Sequence, residues 1–284
     1  MPPRFTKFHG LGNDYLVIES EQLAGIIDLP ALARRICDRH YGAGGDGIAI
    51  VSRSQTDDAD FNVRIFNPDG SEAGMSGNGT RCAVAYLYYN QLWTADELRL
   101  NTKTGLKRYF PRERLGMGKF VFESELGQPQ FDTDSIPMRT EQPMDRVVGY
   151  PLKVGGQTVQ ITALLFGNPH CCIFVDDFDA IEWRRLGRNI ENHAQFPDRV
   201  NVTFVRVVNN NTLELRIWER GVGETSASGT CSCAAAIASM VNEKVAREIK
   251  AVMPGGEVKI KWRDDGEVVI TGTAEVVYTA DWLA

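Results

Sequence analysis

Two serines stand out by their setting. Ser76 lies in MSGNGTRCAVA and Ser228 in SASGTCSCAAA, each followed at once by glycine and then by an alanine-rich apolar run. A glycine-rich turn that gives way to Ala- and Leu-rich residues reads as the start of a buried helix, with the serine at or just before its first turn. A helix start carries free backbone N–H groups and a partial positive charge, which together suit a carboxylate. Gly77, Gly79 and Gly229 let the backbone come close to a ligand. Two such starts, each with a hydroxyl, would offer an acid and a base on opposite faces of one carbon. Inverting a stereocentre beside a carboxylate requires that arrangement, with dipoles to hold the charge left when the proton departs. Taken singly, either serine is an ordinary helix cap.

The serines belong to a longer repeat. VRIFNPDGSEAGMSGNGTRCAVA (Val63 to Ala85) aligns without a gap on LRIWERGVGETSASGTCSCAAAI (Leu215 to Ile237). One shift of 152 residues relates Arg64 to Arg216, Ile65 to Ile217, Glu72 to Glu224, Ser76 to Ser228 and Gly77 to Gly229. Upstream, Gly12-Asn13 returns as Gly167-Asn168 at a shift of 155. Each copy predicts a strand of alternating residues, a glycine turn and an enclosed helix, apolar nearly all round. Elsewhere, Asp28 ahead of Pro30 predicts a capped helix over 29–40, and 182–193 predicts a surface helix. VKIKW and EVVITG predict strands of a meander, and the Pro- and Gly-containing stretch 112–143 reads as the crossover between halves.

Composition narrows the function. The chain has 284 residues, 43% hydrophobic and 24% charged, enough to bury a substantial core. A net charge of −6 with no Lys/Arg run weighs against nucleic acid and membrane surfaces as partners. No apolar stretch reaches the roughly 18–20 residues of a spanning helix, and the first ten residues are too polar for a signal peptide, so a cytoplasmic protein is expected. The six cysteines do not form a disulfide framework, and their spacing, with four histidines, predicts no structural metal.

Seven landmarks then resemble the diaminopimelate epimerase family, in family order along nearly the whole chain. They are HGLGNDY (His9 to Tyr15), RHYGAGGDG (Arg39 to Gly47), RIFNPDGSE with MSGNGTR (Arg64 to Arg81), GNPH (Gly167 to His170), RVNVTF (Arg199 to Phe204), ERG (Glu219 to Gly221) and GETSASGT (Gly223 to Thr230). With the repeat, the resemblance implies an α/β fold of two pseudo-symmetric halves. Each is a mostly antiparallel strand barrel around a central helix, with the active site in the cleft between them. The halves are expected at 1–127 and 128–274, the last strand (about 275–284) completing the first. The activity implied is interconversion of LL- and meso-diaminopimelate by two-base α-proton transfer, a step of lysine and cell-wall precursor biosynthesis. It would use no cofactor, in a protein that binds a small amino acid and forms a homodimer.

The same resemblance assigns residues by position. Ser76 and Ser228 occupy the places of the family's catalytic pair, and His170 and Glu219 those of the groups that assist them. Asn67, Asn201 and Arg220 match residues that grip the far carboxylate, and Glu219 one near the far amino group. Asn13 and Asn168 match residues that orient the reacting end. Gly77, Asn78, Gly229 and Thr230 match the helix starts that bind the α-carboxylate. Two departures stand out: Gly47 lies where the family usually has Gln, and the family's catalytic pair is cysteine. A thiol ionises near pH 8.5, and lower at a helix start, whereas a serine hydroxyl is a much poorer base without a partner. Cys231 lies three residues past the repeat position. Three readings stay open: a divergent enzyme, a Cys-to-Ser trapped form, and a relative that binds an amino acid without turning it over. Racemisation or dehydration of proline-like compounds and the isomerase of phenazine biosynthesis use related architectures, and neither needs the Arg220 cluster.

Overall fold

A computed structural model describes residues 2–74 and 76–283. In chain order the strands and helices are β1 (Arg4–Gly10), β2 (Asn13–Glu19), α1 (Leu29–Ile36), β3 (Gly47–Arg53), β4 (Phe61–Phe66), β5 (Glu72–Ala73), α2 (Gly77–Tyr89), β6 (Leu98–Thr102), β7 (Gly105–Arg114) and β8 (Lys119–Gly127). There follow β9 (Val147–Val154), β10 (Gln157–Phe166), β11 (Asn168–Phe174), α3 (Trp183–Glu191), β12 (Asn201–Asn209), β13 (Thr212–Glu219), β14 (Gly223–Thr225), α4 (Gly229–Val241), β15 (Glu248–Met253), β16 (Gly256–Trp262) and β17 (Val268–Asp281). They form two compact units, one taking in the chain up to Glu125 and from Thr271 on, the other Leu126–Ile270.

The same connectivity occurs twice. In the first unit β1–β2 is an antiparallel hairpin, β3 runs parallel to β2, β4 antiparallel to β3, and β5 folds back on β4; after α2, β6 lies parallel to β4 and β7 antiparallel to β6. In the second unit β10 to β16, with α4, repeat that order pair for pair. The registers match as well. Tyr15 sits beside Gly47 as His170 sits beside Asn201, and Ile48 opposes Phe66 as Val202 opposes Trp218. The protein is therefore an α/β fold of two pseudo-symmetric halves, each a mixed sheet in which antiparallel pairs predominate.

Strand alternation explains why a helix sits on each side of the sheet. Along β2, β3 and β4, Tyr15, Val17, Ala49, Val51, Val63 and Ile65 pack on α2. The alternate residues Leu16, Ile18, Ile48, Ile50 and Phe66 pack on Leu32, Ala33 and Ile36 of α1. In the second unit Val202, Phe204 and Trp218 pack on Trp183 and Ile190 of α3, which leaves His170, Asn201, Thr203 and Glu219 to the face that covers α4. The inner helices are enclosed: Asn78 to Leu87 of α2 are all buried, as are Cys231 to Met240 of α4.

Two boundaries differ from the sequence reading. α1 stops at Ile36 instead of reaching residue 40, because Asp38 turns the chain by accepting the N–H groups of His40 and Tyr41, both at 2.7 Å. α2 begins at Gly77, directly after Ser76 as the sequence reading expects, its cap and burial outweighing the low helix propensity of Gly77 and Gly79. The stretch 112–143 is not all crossover, since β7 and β8 pair as a hairpin. Pro111 stands beside the register shift in that hairpin, where a missing N–H costs no ladder bond. At the other end of α1 the Asp28 carboxylate accepts the Ala31 N–H at 2.8 Å. Asp28→Ala is expected to lower unfolding free energy by about 1 kcal/mol, read as a shift in urea midpoint with unchanged slope. All six cysteines are free and buried. Among the described residues no helix is long and apolar enough to cross a membrane.

Candidate active site

In the first unit the site is built on the start of α2. Ser76 is the N-cap, its backbone extended at φ −135°, and its Oγ accepts the Gly79 N–H at 3.1 Å. Gly77 and Asn78 follow in the first turn, where no preceding helical carbonyl reaches their N–H groups. The Tyr15 hydroxyl lies 2.8 Å from the same Ser76 oxygen. Two glycines make room for that ring: a Cβ on Gly79 would come within 2.9 Å of it, and one on Gly47 within 2.8 Å.

A polar chain behind the turn orients two asparagines. Arg81, 1% exposed, donates to Asn78 Oδ1 at 2.5 Å and to the Thr273 carbonyl at 2.9 Å. Asn78 therefore turns its Nδ2 toward Asn13 Oδ1 (3.4 Å), and Asn13 Nδ2 donates to Asp46 at 2.6 Å. The two-residue turn Leu11-Gly12, with φ of 58° and 82°, delivers Asn13 to the first position of β2. Arg39 forks onto Asp14 at 2.7 and 3.1 Å and reaches Asp46 at 2.7 Å, and Lys7 meets Asp14 at 2.7 Å. Burial works to raise the Asp14 carboxyl, but Arg39 and Lys7 outweigh it and hold it far below the usual carboxylate range. Asn67 is engaged in its own turn, its Nδ2 donating to Ser71 Oγ at 2.9 Å.

The second unit repeats this frame with different chemistry. Ser228 caps α4 with the same extended backbone (φ −147°) but its side chain makes no cap bond, and it is 8% exposed. In both halves a hydroxyl four residues on returns to the serine carbonyl, Thr80 at 2.8 Å and Ser232 at 2.7 Å. Cys231, three residues on from Ser228, lies one helical turn further along α4 and is fully buried. Burial, with the charge of Glu219 added, pushes that thiol up to about 12, so it stays protonated at neutral pH. Gly229 and Thr230 occupy the first turn.

His170 is fully buried on the face toward α4, and neither ring nitrogen has a partner in hydrogen-bond geometry; the buried Asn168 Oδ1 is likewise unpartnered. Unmatched buried polar atoms of this kind mark functional sites or strain. Burial drives the imidazole down to about 3; the Phe166 backbone offers slight compensation and Arg220 lowers it further. The ring is therefore neutral at pH 7, one nitrogen a donor and one an acceptor. Burial raises the half-buried Glu219 carboxyl above its ordinary range. Asn201 is held by backbone, its Nδ2 donating to the Pro169 carbonyl at 3.1 Å and its Oδ1 accepting the Arg220 N–H at 2.9 Å. The Arg220 guanidinium donates to the Asp198 carbonyl at 3.0 Å.

Thus Ser76, Gly77, Asn78 and Asn13 gather at one helix start, with Asn67 in a separate turn. Ser228, Gly229 and Thr230 gather at the other, beneath a strand face that carries His170, Asn201 and Glu219. Sequence reasoning passed over Tyr15 and Arg81. The shift of 155 that maps Asn13 on Asn168 also maps Tyr15 on His170, and was the signal for the first. Among the described residues no cluster of three or more His, Cys, Asp or Glu side chains is placed to hold a metal ion.

Comparison with known proteins agrees with this frame. The diaminopimelate epimerase family profile matches residues 5–118 and 162–277. The diaminopimelate epimerase of Pelotomaculum thermopropionicum is 40% identical over 280 residues, covering 98% of each chain. That of Halothermothrix orenii is 38% identical over 276 residues, 97% of this chain and 96% of its own. Among solved structures, a phenazine biosynthesis protein from Bacillus anthracis superposes with a TM-score of 0.73 at 17% identity, covering 100% of both chains. A probable proline racemase from Agrobacterium radiobacter does so at 0.70 and 15% identity, covering 98% of this chain and 92% of that one. At such identities the structures share the fold alone. The family profile, however, reaches into both halves, and the curated relatives match end to end: this chain belongs to the diaminopimelate epimerase family.

Proposed function

We propose that this protein interconverts LL- and meso-diaminopimelate, one serine removing the α-proton on one face while the other returns a proton on the opposite face. The observation that carries the reading is the repeated helix start, serine-capped in both halves, in a chain of this family. The first-turn N–H groups of Gly77, Asn78, Gly229 and Thr230 would take the α-carboxylate. They also stabilise the charge that spreads into it as the proton leaves. Asn13 and Asn168 orient the reacting end. Arg220, Asn201 and Asn67 hold the far carboxylate, and a far ammonium beside Glu219 would counter the upward push of burial on its carboxyl. His170, neutral and with neither ring nitrogen partnered, would assist Ser228 as a hydrogen-bonding group. Two-base transfer of this kind draws on no cofactor.

The test is proton NMR of LL-diaminopimelate in heavy water with the protein as it is and with the Ser76→Cys, Ser228→Cys double variant. The α-hydrogen signal is expected to decay and the meso isomer to appear. The double variant should be faster by roughly 100-fold or more, because a thiol is the better acid–base group at neutral pH. Exchange by the double variant alone would make this scaffold an epimerase that its serines hold silent. Binding without exchange by either protein would sink the epimerase reading.

A further inference from the structure

The Ser76 hydroxyl is held in a way that the Ser228 hydroxyl is not, and Tyr15 is the difference. Ser76 Oγ lies 2.8 Å from the Tyr15 hydroxyl and 3.1 Å from the Gly79 nitrogen. The Gly79 N–H can only donate. Between two hydroxyls the phenol is the stronger acid and donates to the alcohol. Ser76 Oγ then accepts twice, and its own hydrogen is left to point away from both donors. The Tyr15 ring has little freedom to leave. It is buried, pinned in β2 beside Gly47, and flanked by Gly79 and Gly47 at distances that admit no Cβ. In the second half the corresponding places hold His170, Asn201 and Cys231, and Ser228 makes no cap bond, so the contact is not a by-product of the repeat.

We propose that Tyr15 is the proton relay of Ser76, acting through the serine without touching the substrate carbon. The proposal rests on the epimerase reading and names how its serine works. As Ser76 gives its proton to the α-carbanion, the Tyr15 O–H proton passes to the serine oxygen. One C–H bond forms, the Ser76 O–H is replaced by another, the Tyr15 O–H breaks, and the negative charge moves from carbon to the phenolate. In reverse, the phenolate draws the serine proton as the serine takes the α-proton. Ser76 at no point carries a full negative charge, which removes the weakness of a lone hydroxyl in this role.

Tyr15→Phe keeps the ring and removes only the hydroxyl. In the heavy-water assay it is expected to lower kcat about 100-fold, within the range for acid–base groups, with KM changed less than about twofold, and to abolish the alkaline limb of the pH profile. If the parent exchanges and Tyr15→Phe matches its rate and profile, the relay is overturned and the epimerase reading stands. A second measurement needs no turnover. The native cysteines are buried, so Ser76→Cys presents one thiol to iodoacetamide. With Tyr15 present that thiol is expected to ionise about one pH unit lower than in the Tyr15→Phe background, giving roughly tenfold faster alkylation below the midpoint. If no form exchanges diaminopimelate, the functional reading fails by itself, and the alkylation still decides Tyr15. A shifted midpoint supports phenol donation to the atom at position 76, and an unshifted one overturns it.

Discussion

Arg81→Met is expected to lower the unfolding free energy by about 3–5 kcal/mol, because it leaves two buried acceptors unsatisfied and a void beneath α2. Among the described residues Arg81 is the largest fully buried side chain, and its guanidinium supplies Asn78 Oδ1 and the Thr273 carbonyl. It lies against backbone that only glycine permits: a Cβ on Gly10 would stand 2.9 Å from Nη2, and one on Gly272 3.0 Å from Cζ. Relief from desolvating the charge offsets part of the loss, as it does for any buried ion. Arg81→Lys should recover little, since an ammonium lacks the planar fork that serves both acceptors. The second consequence is at the helix start. Released from Arg81, Asn78 no longer has its amide orientation set, and diaminopimelate binding should weaken in proportion. Urea unfolding and ligand titration on the same variant read both effects. A loss below about 1 kcal/mol would mean that the guanidinium does not buttress the turn.

His170 should dominate the response of stability to mild acid. Its folded imidazole is held down to about 3, against about 6.5 for the unfolded chain. Between those values the unfolded state binds the extra proton, so unfolding free energy rises with pH there. The contribution is fully present above about pH 6.5 and is lost as pH falls toward 3. It amounts to roughly 2–3 kcal/mol by pH 4.5 and on the order of 5 kcal/mol in all. Asp14, whose folded carboxyl is depressed, contributes stability that is intact above the unfolded carboxylate range and lost only at lower pH. Across pH 7 to 4.5 the Asp14 contribution is intact and the raised Glu219 carboxyl works in the opposite sense in both proteins, so the difference between parent and variant reads the histidine. In His170→Phe, unfolding free energy should change by less than about 1 kcal/mol across that interval where the parent loses 2–3. Parallel profiles for the two proteins would show that the buried ring does not couple to protons in this way.

The repeat was open to inspection because its physical causes are local. Alternation in 62–66 and 213–217 requires one buried face, and Gly-rich turns before apolar runs require enclosed helices, so β4, β13, α2 and α4 follow from neighbouring residues. The same holds for Ser76 and Ser228 as N-caps, and for the family landmarks that Asn13, Asn168, His170 and Arg220 sit within. Residues 112–127 were misjudged because Pro111 and the surrounding glycines resemble a linker when the bulge that accommodates the proline is out of sight. What each serine touches was another matter. Tyr15 stands 61 residues from Ser76 and reaches it only because β2 lies over the start of α2. Arg81 meets Thr273 across 192 residues. The burial that neutralises His170 needs β12 and α4, tens of residues along the chain, as well as its own hairpin. Sequence order carries periodicity, caps and turns, since these depend on residues a few places apart. The partners that set acidity and orientation come from distant segments brought together by packing, and they make two serines in matching frames chemically unequal.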